Sequence, residues 1–313
     1  MKFNQRRLLQ IIVPVVYSVI MLLVVFYMWR DQYLVRQGGG GPLYRNLREY
    51  PAWIRHGFDP ADIAEIPAEN AGKWMRFEAA QLSVKASPLP NLPKRTFLSP
   101  RGKETQEFTV IIPLELDSAA ISFLDNTQSA ARVSPGIYLA IIGINWEIFF
   151  NGTLVRSEIH LDETGQIKEG RTLRNVFFPI DRALIKQGTN ILAFRILGDP
   201  TSANTGFYYV RPYYLDDYRI IEARERNFLP MILGGIFCFI GIFYLMLFLF
   251  VRTKKELFNL YFSIFSLLLF VYTYTRFGIA SYLIPNSYIC FRLEYLSLFL
   301  MGSMVCIFVE ELG

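Results

Sequence analysis

Asn145-Trp-Glu-Ile-Phe-Phe-Asn-Gly-Thr-Leu-Val-Arg156 decides how the middle of this 313-residue chain reads. Two short runs rich in β-branched and aromatic residues meet at Asn151-Gly152. A tight hairpin turn of this kind needs positive φ at both central positions, which Asn-Gly accepts at little steric cost. The stretch therefore predicts strand, two-residue turn, strand. Outward from it, residues 108–114, 120–124 and 137–142 on one side and 175–180, 190–196 and 206–210 on the other have the same strand-like composition. No interval between them reads as a long amphipathic helix. Short strands at this spacing predict an antiparallel β-sandwich or barrel and argue against alternating β and α units.

The flanks of this region differ in kind. Residues 42–105 are rich in proline and turn formers, and Pro88, Pro90 and Pro93 suggest an extended edge segment, because proline cannot donate to a sheet ladder. Asp59-Pro60-Ala61-Asp62 suits a short helical turn. The glycines at 38–41, followed by Pro42, separate this region from what precedes it. Residues 214–227 are polar and of mixed charge, and predict a connector helix. Such a helix either transmits movement or is a solvated link.

Hydrophobic residues make up 52% of the chain and charged residues 19%, and the apolar excess is concentrated in four blocks. The first, 8–29, follows Lys2, Arg6 and Arg7; it is long enough for a span, and no small-x-small cleavage site follows it. It reads as an uncleaved anchor, with 31–71 as a linker and Pro/Gly-rich lead-in. The others are 228–251, 257–275 and 293–310. Arg252, Lys254 and Lys255 directly follow the second block, which marks that end as cytoplasmic. An N-terminus inside then agrees with an insert at 30–227 outside. The expectation is a multi-pass protein of the inner (cytoplasmic) membrane with a periplasmic or extracellular domain. Arg292 and Glu294 read as anchors at the outer end of the fourth block, and Tyr261, Tyr272, Tyr274 and Tyr282 partly fit an aromatic belt.

Several classes of function are disfavoured. The net charge of +5 comes with cations clustered beside apolar blocks, which speaks for membrane topology over nucleic-acid binding. All three cysteines, Cys238, Cys290 and Cys306, lie in or beside those blocks, so the insert has no disulfide framework. With His56 and His160 the only histidines, neither a metal nor another cofactor is expected. No phosphate loop, nucleophile elbow or kinase signature occurs, so no catalytic residue is assigned. Asp162-Glu163 and Asp216-Asp217 read as solvated turns, and His160 as polar surface or a ligand contact. For a small ligand, aromatic faces beside hydrogen-bonding groups point to Trp146, Tyr208, Tyr209 and Arg211, with core packing the competing role for Trp146.

The hairpin at 145–155 resembles that of galactose-binding-like jelly rolls, as in the sugar-binding domain of β-galactosidase-type enzymes. The segment 178–195, with Gly188-Thr-Asn190 leading into alternating apolar residues, is similar to a later part of the same fold. Together with Gly234, Gly241 and Phe243-Tyr244, the run Leu257-Phe-Asn-Leu-Tyr-Phe262, and Gly278-Ile-Ala-Ser-Tyr-Leu283, the order resembles bacterial seven-transmembrane receptors with diverse intracellular signalling modules. The resemblance covers roughly residues 72–312, and three of that family's seven bundle helices are present. It implies a jelly-roll sensory domain at 72–213, a longer gene product and a cleaved signal peptide, the last at odds with the anchor reading.

The fold expected is therefore an antiparallel jelly roll between an N-terminal transmembrane helix and a partial transmembrane bundle. The function expected is a receptor that senses a small, carbohydrate-like ligand and signals to a cytoplasmic output module, in cis or on a partner protein. The alternatives are a membrane-anchored docking module and the N-terminal part of a signalling cyclase, kinase or serine phosphatase. Homodimerisation stays open.

Overall fold

The computed structural model describes residues 26, 41–68, 74–77, 105–125, 133–198, 205–207, 213–225, 229–251, 257–276 and 280–312. Among these, eleven strands form two antiparallel sheets. Strands β1 (Arg45–Asn46), β2 (Ala52–His56), β3 (Met75–Phe77), β4 (Gln106–Leu116), β5 (Pro135–Gly143) and β6 (Asn145–Phe150) are followed by β7 (Thr153–Ser157), β8 (Leu173–Pro179), β9 (Gly188–Gly198), β10 (Gly206–Phe207) and β11 (Tyr213–Asp217). The six-stranded sheet runs β3-β2-β4-β9-β6-β7. In the five-stranded sheet β5 is central. β8 pairs along one edge, while β11 and β10 follow one another along the other, at residues 135–139 and 142–143.

Alternation places the core. Phe108, Val110, Ile112, Leu114 and Leu116 of β4 face inward with Trp146, Ile148 and Phe150 of β6 and Leu192, Phe194 and Ile196 of β9, all buried. The period of two puts these side chains on one face of the sheet. The opposite face of the same sheet carries Trp53, Ile111, Ala193 and Ile191, covered by Ile63, Phe58 and Trp74. The segment between β2 and β3 thus serves as a lid over that face. Within it Asp59 caps a 3-10 turn at Pro60–Asp62, as its sequence suggests.

The Asn151-Gly152 hairpin forms as read, with φ of 47° and 82°. Asn151 Oδ1 accepts from Ile191 N at 2.7 Å, while its Nδ2 donates to Leu184 O and to Asn190 Oδ1. Asn190 in turn accepts from Lys186 N and donates to Lys186 O and Gly188 O. The two segments behind the jelly-roll resemblance are therefore hydrogen-bonded to one another.

Four expectations need correction. Residues 120–124 are not a strand but belong to helix α1 (Ser118–Asp125), because Ala120 and Leu124, four apart, bury together and Asp117 caps the first turn. The lead-in at 31–71 is not merely a linker: β1 pairs with β11 and β2 with β4, and Leu43, Leu47, Ala52 and Ile54 enter the core. The connector at 214–227 begins as strand β11, so only Tyr218–Glu225 is helix α2, and that helix packs on β5, β8 and β11 with Ile221 wholly buried. The last apolar helix does not begin at 293: it starts at Ser287, where Asn286 caps it by accepting from Tyr288 N.

Helices α3 (Leu229–Val251), α4 (Leu257–Thr275), the short α5 (Ala280–Leu283) and α6 (Ser287–Leu312) complete the chain. Three of them, α3, α4 and α6, are long and apolar enough to cross a membrane. Their burial is inverted relative to the sandwich. Asn259, Ser263, Ser266 and Ser297 are buried, whereas Phe239, Phe250 and Phe299 are exposed. That distribution suits an apolar surrounding. The α3–α4 contact is close: Ser263 Oγ donates to Gly241 O at 2.7 Å, and a Cβ at Gly241 would lie 2.7 Å from Leu267 Cγ. The predicted first span at 8–29, apart from helical Phe26, and the proline segment at 88–93 lie outside the described residues.

Candidate functional site

Trp146 is not available to a ligand. It is fully buried in β6, its Nε1 donates to Arg171 O at 3.0 Å, and the Arg156 guanidinium lies 5.6 Å from its ring centre. Its alternation with Ile148 and Phe150 sends it inward, which corrects its assignment as a binding residue in favour of core packing. Tyr208, Tyr209 and Arg211 lie outside the described residues, as do Lys2, Arg6, Arg7, Arg252, Lys254 and Lys255. Beside the first group, Phe207 packs edge-on against Phe194 and Tyr213.

A charged cluster gathers where β7 leads towards β8. Glu158, nearly buried, accepts from Arg156 Nη2 at 2.7 Å through Oε1. Its Oε2 accepts from Arg171 Nε at 3.0 Å and Nη2 at 2.9 Å. A carboxylate so deeply placed requires such partners, since an unpaired buried charge costs several kcal/mol, on the order of 3–5 when one partner is removed. His160 is half-exposed between two acids, with Nε2 4.0 Å from Glu158 Oε2 and Nδ1 3.8 Å from Glu169 Oε2.

Arg171 also reaches beyond the sandwich. Its Nη1 donates to Pro285 O at 2.8 Å, just before α6. Two bonds from backbone amides flank this one: Ser287 N donates to Gly170 O at 2.8 Å, and Thr172 N donates to the Ser287 side-chain Oγ at 3.1 Å. A Cβ at Gly170 would lie 2.7 Å from Tyr288 Cε2, so a side chain there requires the Tyr288 ring to shift. Further along α6, Arg174 Nη1 of β8 stands 2.8 Å from Glu294 Oε2 and its guanidinium lies 4.8 Å from the Phe291 ring centre. The pair is at ion-pair distance but off the line of a hydrogen bond. Arg276, at the end of α4, places Nε 3.7 Å from the other Glu294 oxygen. Glu294 is therefore a buried partner shared by sandwich and helices, which corrects its reading as a surface anchor.

The paired acids also separate. Asp162 is exposed in a loop, and its Oδ1 accepts from Thr164 Oγ1, Thr164 N and Gln166 N; the Thr164 side-chain bond foremost holds it below the usual carboxylate range. Asp216 and Asp217 are both buried, contrary to the solvated turn expected. Asp217 accepts from Arg219 N at the start of α2 and pairs with the Arg219 side chain at 2.8 Å. Burial pushes the Asp216 carboxyl up.

No family model matches the chain, and no curated protein matches it. Solved structures do. A β-glycosidase from Bacteroides vulgatus is 12% identical, with a TM-score of 0.31 over 55% of this chain and 20% of the enzyme. A glycosyl hydrolase family 2 member from Bacteroides cellulosilyticus is 14% identical, with a TM-score of 0.34 over 56% of this chain and 20% of that one. The β-glucuronidase of Ruminococcus gnavus is 12% identical, with a TM-score of 0.29 over 49% and 21%. The chain thus spans about a fifth of the length of each. At such scores the likeness carries no argument, and the sandwich rests on its own strand pairing.

Proposed function

We propose that the chain is a transmembrane signalling receptor of the inner membrane. Its sandwich lies on the extracytoplasmic side, senses a small and carbohydrate-like ligand, and passes the change through the helices to a cytoplasmic output module in the same polypeptide or on a partner. The observation that carries this reading is the docking of Gly170, Arg171, Thr172 and Arg174 onto the start of a helix of spanning length. A domain that merely hung from a tether would have no need of buried polar contacts with the helices. The cations at Lys2, Arg6, Arg7, Arg252, Lys254 and Lys255 support the orientation by the positive-inside rule. A ligand can drive the change only by binding one arrangement more tightly than another.

The test uses the full chain in lipid nanodiscs, screened against monosaccharides, oligosaccharides and common metabolites by thermal shift. The expected result is a concentration-dependent rise in melting temperature for one chemical class. A panel without any shift, together with capture of a protein by the sandwich face, would replace sensing with docking.

A further inference from the structure

We propose that residues 169–174 of the sandwich and residues 285–294 at the start of α6 form a rigid joint, with Glu294 as its positioning residue, so that the sandwich and α6 move as one body. The contacts are of three physical kinds. Ser287 N, in the first turn of α6, has no acceptor within its own helix, and Gly170 O supplies one. Gly170 meets the Tyr288 ring so closely that any side chain would have to displace that ring from the contact. Glu294 is buried, and its charge is answered by Arg174 from the sandwich and by Arg276 just after α4, so separation of the two parts would leave a carboxylate in a poorly solvated place without its nearer partner.

The covalent route between the two parts runs elsewhere. Helix α2, which precedes α3, lies against its own sandwich with Ile221 fully buried and Asp217 capping its start. To serve as a lever it would have to leave that core. The joint at α6 requires no such unfolding: a tilt of β8 or of the segment before it acts directly on the helix through Arg174 and Gly170. The upstream end of this segment is held by Glu158, which grips Arg171 with two hydrogen bonds while Arg171 grips Pro285 O. The mechanical claim stands on this geometry alone. Its use in signalling rests on the receptor reading, so the ligand screen above and the experiment below can fail separately.

Hydrogen–deuterium exchange of the full chain in nanodiscs tests it. The Ser287 amide reports the joint directly, because a first-turn amide is otherwise open to solvent. Slow exchange is expected at Thr172 and Ser287 in the unaltered chain. Gly170→Leu and Arg174→Gln should each speed both amides roughly tenfold or more, while the peptide at 145–157 keeps its protection and Arg174→Lys, which retains the charge, stays near the unaltered rate. Fast exchange at Ser287 in the unaltered chain would overturn the joint, whatever the variants do. So would unchanged protection in both Gly170→Leu and Arg174→Gln.

Discussion

Asn151 joins three things that a single side chain rarely joins: a left-handed turn position, the backbone of β9 and the side chain of Asn190. Alanine there forfeits about three hydrogen bonds and leaves Leu184 O and Asn190 short of a donor, so Asn151→Ala should lower stability by about 2–3 kcal/mol. Thermal denaturation of the detergent-solubilised chain measures it; a loss under about 0.5 kcal/mol, the scale of a neutral surface change, would show the turn to be expendable. Asp216 behaves in the opposite sense. Its carboxyl is pushed up chiefly by burial, so the folded chain binds that proton more tightly than the unfolded chain does. Its contribution is full below the ordinary carboxylate value and is lost as pH rises through the raised one. Asp216→Asn, which keeps the acceptor for Asp217 N, should therefore raise the melting temperature at neutral pH, and the gain should vanish as pH falls below the carboxylate range. An equal gain at all pH values would mean that ionisation of Asp216 is not the cause.

At the level of elements, what could be read from sequence was what local chemistry determines. The 145–157 hairpin needs only its turn residues, and β4, β5 and β9 needed only their β-branched and aromatic runs. Strands β1 and β2 have no local signature because their ladders are long-range: Arg45 opposes Leu215 and Trp53 opposes Ile111, and a short strand shows no pattern until its partner is known. The stretch at 120–124 misled because five residues fit either period, and the decisive signals, the Asp117 cap and the buried Ala120–Leu124 pair, sit at its edges. The acidic look of Asp216-Asp217 conceals a buried strand in which Arg219 meets the charge of Asp217. Among the helices, Ser263 and Gly241 set the α3–α4 distance. Ser263→Leu should push the two apart and cost about 1–3 kcal/mol, as overpacking does. The readout is a lower melting temperature in nanodiscs; a variant as stable as the parent would show that this contact does not fix the packing.

For the whole molecule, the candidate site was the least legible part. Trp146 is an aromatic in a hairpin strand, and alternation puts it in the same inward row as Ile148 and Phe150. The joint with α6 joins residues more than a hundred positions apart, such as Thr172 and Ser287, and no local pattern announces it. Arg174 and Glu294 carry no motif either. Their roles come from the burial that the assembled fold imposes on both. What the sequence did convey at this scale was the alternation of apolar blocks with cationic ends, and the three long helices match its last three blocks.

The receptor reading depends on the side of a membrane that the sandwich occupies. The direct measurement is a specific-protease site inserted between the exposed residues Thr164 and Gly165, with protease added to sealed spheroplasts and, separately, to inverted membrane vesicles. Cleavage in spheroplasts with protection in inverted vesicles is the expected result. Cleavage confined to inverted vesicles would put the sandwich in the cytoplasm and contradict the receptor reading at its root.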